Sequence, residues 1–257
     1  MARSFHSAAW HASRFAFLAL LLTVACSGLA QGDTWSTGQV ITYSQADWAT
    51  GGSAYLLLAS KFDTVYSSDV VAVGQLVGGN VMIFNNPASI SSYLPAVGPA
   101  SSLDATYLNP LTTSAGAFGG EVLALQLNVD FSDAGVTLGS SGISFGDLVI
   151  ENLSVLPDAD GLTVRQILAD ANTDLGGGIS QFDIFELSSV VMGLNGAFDN
   201  GTPSVVAQDY LVAPGGTSGG GGGMTPTPEP SSALLFVIGL LGFGMLCYKR
   251  RIDRAPS

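Results

Sequence analysis

The residues of this chain that can do chemistry are, over most of its length, carboxylates. Of 257 residues 20 are Asp or Glu; eighteen of these lie between residues 31 and 223, where Lys61 and Arg165 are the two basic residues, giving that stretch a formal charge of −16. Both histidines, His6 and His11, and both cysteines, Cys26 and Cys247, fall outside it. Triad catalysis needs an imidazole, and zinc sites draw on Cys and His. Neither chemistry fits this stretch, and no disulfide can form within it. Gly216-Thr217-Ser218-Gly219-Gly220 formally matches the nucleophile elbow G-x-S-x-G. That motif works only on a strand-to-helix turn with a histidine partner, and here it sits in a glycine run. A Ser/Lys dyad would have to use Lys61, which the apolar pattern around it places on a helix surface.

Three uses of the carboxylates are open. Glycoside hydrolysis needs two carboxyl groups flanking a bond, and Glu121, Glu151, Glu186 and fifteen aspartates supply the inventory without any local pattern that selects a pair. Calcium is the second use. "PDADGL" offers Asp158, Asp160 and Gly161, as in the core of an EF-hand or dockerin loop, but that register puts Leu156 at the first position and Ile167 at the twelfth, where carboxylates are required. A capped turn before a helix is the simpler account. The third use is solubility. Nucleic acid and anionic membrane surfaces call for basic patches that this stretch lacks, whereas cations, basic proteins and neutral polysaccharides remain compatible partners.

The elements that would position these groups read as an α+β domain with more helix than sheet. "LTVRQILADAN" puts Val164, Ile167, Leu168 and Ala171 on one helical face, with Thr163 and Gln166 in capping-box spacing and "GGG" at 176–178 as the stop. "SQFDIFELSSVVMGLNGAF" repeats the pattern through Ile184, Leu187, Val191, Leu194 and Phe198, with Ser180 as its expected cap. The short Gly-rich turn between them predicts a packed helical hairpin. "SAYLLLASKF" reads as a helix, and "NPASISSYL" has the Asn-Pro order of a helix start. "QVITYS", "DVVAVGQLV" and "NVMIFN" read as short strands. "EVLALQLNVDF" fits both periods; its Ala, Leu, Gln and Glu content favours helix.

Both ends of the chain have a different character. Arg3 and Arg14 precede "FAFLALLLTVAC", and Ser27, Gly28 and Ala30 follow, the layout of a signal peptide over residues 1–30 cut after Ala30. The apolar residues 15–25 are too few to span a bilayer. A lipoprotein cut before Cys26 is a rival, disfavoured by Thr23 where a branched apolar residue is usual. After an ectodomain at 31–214 comes a Gly/Pro-rich linker, 215–227, then Pro228-Glu229-Pro230 and eighteen uncharged residues, 231–248, enough for a transmembrane helix. Lys249, Arg250, Arg251 and Arg254 form a basic stop that holds the tail in the cytoplasm and the ectodomain outside.

This C-terminal order (Pro228-Glu229-Pro230, a Gly-interrupted apolar helix, a basic end) resembles the PEP-CTERM sorting signal of Gram-negative bacteria, over about residues 224 to 254. Cys247 and Tyr248 depart from the usual Leu/Gly/Ala run. The resemblance implies exosortase as a processing partner, beside the signal peptidase that the N-terminal layout calls for. It also implies transient or permanent residence in the inner membrane, and delivery to the cell surface or an extracellular polysaccharide matrix. "TYSQADW", "LNVDFSDAG", "LTVRQILADANTDLGGG" and "LNGAFDNG" resemble a domain that recurs in exported bacterial surface proteins, which implies a surface module and no particular reaction. The expectation is an exported, non-catalytic structural or binding module without cofactor. A carboxylate-based polysaccharide hydrolase or lyase and a calcium-dependent adhesin module are the alternatives.

Overall fold

The computed structural model describes residues 34–215. The described chain opens with α1 (Gln45–Trp48), α2 (Tyr55–Val65), strands β1 (Val71–Gly74) and β2 (Val81–Phe84), α3 (Pro87–Tyr93) and β3 (Tyr107–Leu108). It continues through α4 (Gly116–Asp133), β4 (Val149–Ile150), α5 (Val164–Leu175), α6 (Ile184–Asn195), β5 (Phe198–Asp199), β6 (Thr202–Pro203), α7 (Val205–Tyr210) and β7 (Leu211–Val212). Seven helices and three small sheets among the described residues make a mixed fold richer in helix than sheet.

The organising element is α4. Of its 18 residues, thirteen are buried, including Phe118, Val122, Leu125 and Val129 on one face and Leu123, Leu127 and Phe131 on others. With most of its surface covered, α4 keeps its solvent-reaching polar side chains to a narrow edge at Glu121, Gln126, Asp130 and Asp133, which is why its sequence fits a strand period as well as a helical one. Helices α5 and α6 pack on α4 and on each other as the expected hairpin. Thr163 accepts from the Gln166 N–H, and the Gln166 side chain returns to the Thr163 N–H at 2.8 Å, the reciprocal cap its spacing predicts. Gly176 closes α5, and Gly177 follows at φ 87°, a left-handed conformation that suits glycine at a helix end.

Two expectations need correction. Ser180 does not cap α6; Asp183 does, its carboxylate accepting from the Phe185 and Glu186 N–H groups. Ser180 instead donates from backbone and hydroxyl to the two Asp174 oxygens, at 2.7 and 2.8 Å, which folds the interhelical turn back onto α5. "QVITYS" does not form a strand. Thr42 makes one isolated bridge to Asp199, while the Tyr43 backbone is taken up by the Asn128 side chain (2.9 and 2.8 Å) and Ser44 has already turned to cap α1. A side-chain amide has taken the place of a neighbouring strand.

The other two expected strands form as β1 and β2, paired antiparallel from Val71 opposite Phe84 to Gly74 opposite Val81, while β3, which adds parallel to β2, and the two-residue strands β4 to β7 had no signal in the sequence reading. The N- and C-terminal ends of the described chain meet. Trp35 Nε1 donates to the Leu211 carbonyl at 2.7 Å, its backbone exchanges hydrogen bonds with the Gln208 amide, and its ring stands edge-on to Phe198.

Candidate functional site

The expected sorting residues Pro228, Glu229 and Pro230, the basic stop Lys249, Arg250 and Arg251, the cleavage residue Ala30 and the transmembrane stretch 231–248 all lie outside the described residues. Among the described residues no helix is long and apolar enough to cross a membrane. Within the domain, the question is where its carboxylates meet.

One meeting place is the C-terminal half of α4. Asp130 and Asp133, three residues apart, lie on the solvent edge of this buried helix and help to line an open hollow of ≈ 420 Å³ with Val65, Tyr66 and Ala134. Tyr66 at the end of α2 donates to Asp130 Oδ2 at 2.8 Å, and Gln126, one turn back, donates to both Asp130 oxygens at 2.9 and 3.0 Å. The amide of Asn172 on α5 reaches Gln126 at 3.4 Å and accepts the Gly74 N–H from β1 at 2.7 Å. The set ties α2, α4, α5 and β1 together. Asp133 receives both arms of the Arg165 guanidinium, at 2.7 and 3.0 Å, and the Ser144 hydroxyl; Arg165 also donates to Asp147 at 3.0 Å.

These environments push the two carboxyls in opposite directions. Burial raises Asp130, against the hydrogen bonds from Gln126 and Tyr66 and with help from the nearby Asp133 charge. For Asp133 burial also works upward, but the Arg165 and Ser144 hydrogen bonds and the Arg165 charge outweigh it and hold the carboxyl below its ordinary value. Tyr66 is driven well up by burial and by Asp130. Divergence of paired carboxyls is the signature of an acid and a base. Here, however, both Asp133 oxygens are occupied by a forked guanidinium, a geometry that holds elements together.

The second meeting place is the start of α1. Asp47 closes the capping box with Ser44 and accepts from Ser53 at 2.7 Å and Asn200 at 3.4 Å. Burial raises Asp47, yet the Ser44, Ser53 and Asn200 hydrogen bonds leave it below its ordinary value. Asp199 is raised, by burial first and then by Asp47. The calcium candidates do not come together as ligands: Asp158 is exposed on a short 3-10 turn, and Asp160 accepts the Leu153 N–H at 2.9 Å. Among the described residues no group of three or more His, Cys, Asp or Glu is placed to hold a metal. Lys61 is exposed on α2.

The pairing of Asp133 with Arg165 across 32 residues was invisible in the sequence. The Gln126/Asp130 and Asp130/Asp133 spacings were visible once the segment is taken as a helix. A removal test follows. The pair partners are 37–54 % exposed, so Arg165→Gln is expected to cost about 1 kcal/mol at pH 7 and low salt. Because Asp133 is depressed in the folded state, its contribution is fully present above about pH 4 and disappears as pH falls through the folded value. Urea unfolding should therefore separate variant and parent more widely at pH 7 than at pH 3. An equal gap at both would mean the arginine acts through its stem.

Residues 226–251 match the PEP-CTERM protein-sorting motif, the signature of a substrate of exosortase. The chain thus carries the tag of an exported protein sorted to the cell surface. No curated protein and no solved structure matches the chain.

Proposed function

We propose that the described domain is a non-catalytic structural or binding module, which the signal peptide sends across the inner membrane and the sorting segment delivers to the cell surface or its polysaccharide matrix. The observation that carries the reading is the sorting motif at residues 226–251, beyond a glycine-rich run. The way the acids are used supports the non-catalytic part. Asp133 holds Arg165 and Ser144, Asp47 holds Ser44 and Ser53, and Asp174 holds Ser180. These carboxylates fasten helices to one another and to the turns beside them. A carboxylate-based hydrolase is the competing reading, favoured by the divergence of Asp130 and Asp133.

The test is intact mass on the protein recovered from its envelope, with and without the matching exosortase. A product ending near Pro228-Glu229-Pro230, lost without the enzyme, is the expected result; retention of Arg254 in both strains would overturn the sorting part. Turnover of a polysaccharide panel by the purified domain, abolished by Asp130→Asn, would overturn the non-catalytic part.

A further inference from the structure

A hollow of ≈ 220 Å³ opens between the loop after β4 and helices α6 and α7, walled chiefly by Leu153, Val155, Val190, Leu194, Val206 and Leu211. Apolar side chains stand out around it: Val155 on its wall, Met192 next to Gly193, Val205 next to Val206, and Phe185 one turn before Ser189, exposed by 63 %, 58 %, 70 % and 62 %. Phe185, Ser189 and Met192, at i, i+4 and i+7, share one face of α6. Ser189 and Gly193, which both line the hollow, leave the helix backbone bare between the large side chains. Glycine is a poor mid-helix residue, and packing within the chain does not demand it here: an added Cβ would meet only Val206, at 3.6 and 3.9 Å. Knobs and a hole thus lie on the same face.

Charge and area point to the occupant. Residues 31–223 carry a formal charge of −16, yet none of the described residues that line the hollow is charged, and Glu151 and Asp209, which neighbour the lining in sequence, are not part of it. A basic protein would find no carboxylate in this wall, and a polysaccharide no free donor at Ser189, whose hydroxyl already donates to the Phe185 carbonyl at 3.0 Å. Two copies of an acidic domain repel over most of their surface and least across an uncharged part of it. The four exposed side chains offer on the order of 400 Å² of apolar surface per copy, within the size range of patches that mark interaction sites. Doubled and ringed by a polar rim, this comes near the low end of specific interfaces, about 1,200 Å² in total.

We propose that the face formed by α6, α7 and the loop after β4 joins two copies of this chain about a two-fold axis, with α6 crossing its copy at Ser189 and Gly193 and Met192 of each copy filling the hollow of the other. A two-fold contact needs one self-complementary patch, and knobs beside a hole on the same face supply it. Methionine, unbranched and adaptable, suits an irregular gap. An interface of this size, opposed by the net charge, makes a weak dimer that salt strengthens by screening the repulsion. The contact does not depend on the sorting reading above.

The test uses residues 31–223, which contain no cysteine. Residues 34–215 enclose one buried core and tie their two ends together at Trp35 and Leu211, so they fold without the flanks. Sedimentation equilibrium should show a monomer–dimer equilibrium with a micromolar dissociation constant, tightened at least about threefold between about 50 mM and about 500 mM salt. Met192→Ser combined with Val205→Ser should weaken it at least about tenfold. Gly193→Leu, which fills the hollow, should do the same, while Leu56→Ser on the exposed side of α2 leaves it unchanged and thermal melting shows each variant folded. Because a two-fold contact sets residue 189 against itself, Ser189→Cys should form a disulfide-linked dimer at least about tenfold faster than Ser60→Cys, equally exposed on α2. A domain that stays monomeric at millimolar concentration, a dimer that the Met192 and Gly193 variants leave intact, or equal disulfide rates would each overturn the proposal. A monomer whose melting temperature rises in n-octanol would overturn it too, and would give the hollow to a small apolar ligand.

Discussion

Gly120→Ala is expected to lose about 3–5 kcal/mol, a large share of the roughly 5–15 kcal/mol that holds a domain folded. A Cβ at residue 120 would lie 1.9 Å from Gln45 Oε1 and 2.8 Å from Ala96 Cβ. Gln45 cannot give way cheaply. It is buried in α1, its Oε1 accepts the Ala96 N–H at 2.9 Å, and its Nε2 donates to Glu121 at 2.6 Å. Moving it strands partners at about 1–3 kcal/mol each, and crowding Ala96 adds overpacking of about the same size. The gain of about 1 kcal/mol in helix propensity does not offset this. Urea unfolding reads the loss, and the mechanism has its own signature. In a Gln45→Ala background the alanine at 120 should cost far less, a strong non-additivity. A Gly120→Ala protein that melts with its parent would show that α1 does not press on α4 at this point.

The same glycine shows how far the sequence was legible. Elements with one wet face were readable, since their apolar residues recur at the period of the element: α5 with its Thr163/Gln166 box, α3 behind Asn86 and Pro87, and the β1–β2 pair all formed in place. Helix α4 was ambiguous because burial on most sides leaves only a narrow polar edge and weakens that periodicity. "QVITYS" read as a strand because Val40 and Thr42 do point inward; what no local pattern reveals is that Asn128, some 85 residues away, supplies the backbone partners. The polar centre was equally hidden. Gln45, Glu121, Asn128 and Asn195 are each unremarkable in sequence, and their association is a product of topology. The Ser180 and Asp183 error is of another kind, since both can cap and the choice depends on Asp174 claiming Ser180. The sorting segment was legible because its signal is local order, a tripeptide, an apolar run and a basic end, and it matches as such.

That hidden centre carries the second large effect. Asn195, 1 % exposed at the end of α6, donates to the Glu121 carbonyl at 3.0 Å and to Glu121 Oε2 at 2.7 Å, and accepts from Asn128 at 3.0 Å. It therefore joins α6 to α4 and, through Asn128, to the Tyr43 backbone. Asn195→Leu keeps the shape and removes the donors, and is expected to cost about 2–3 kcal/mol at any pH between 5 and 8. Asn195→Asp should cost more at pH 7, on the order of 3–5 kcal/mol, because it sets a carboxylate against Glu121 in a buried position. Burial first, and then that repulsion, hold the introduced carboxyl above its unfolded value. The folded state then binds the extra proton, and stability rises as pH falls through the folded value. Once protonated, the group can donate to Glu121 as the amide did. The aspartate variant should thus recover part of its urea midpoint relative to the parent between pH 7 and pH 5 while the leucine variant does not. If the two variants instead track each other across that range, the contact between Asn195 and Glu121 does not hold α6 on α4, and the shape of the side chain alone does.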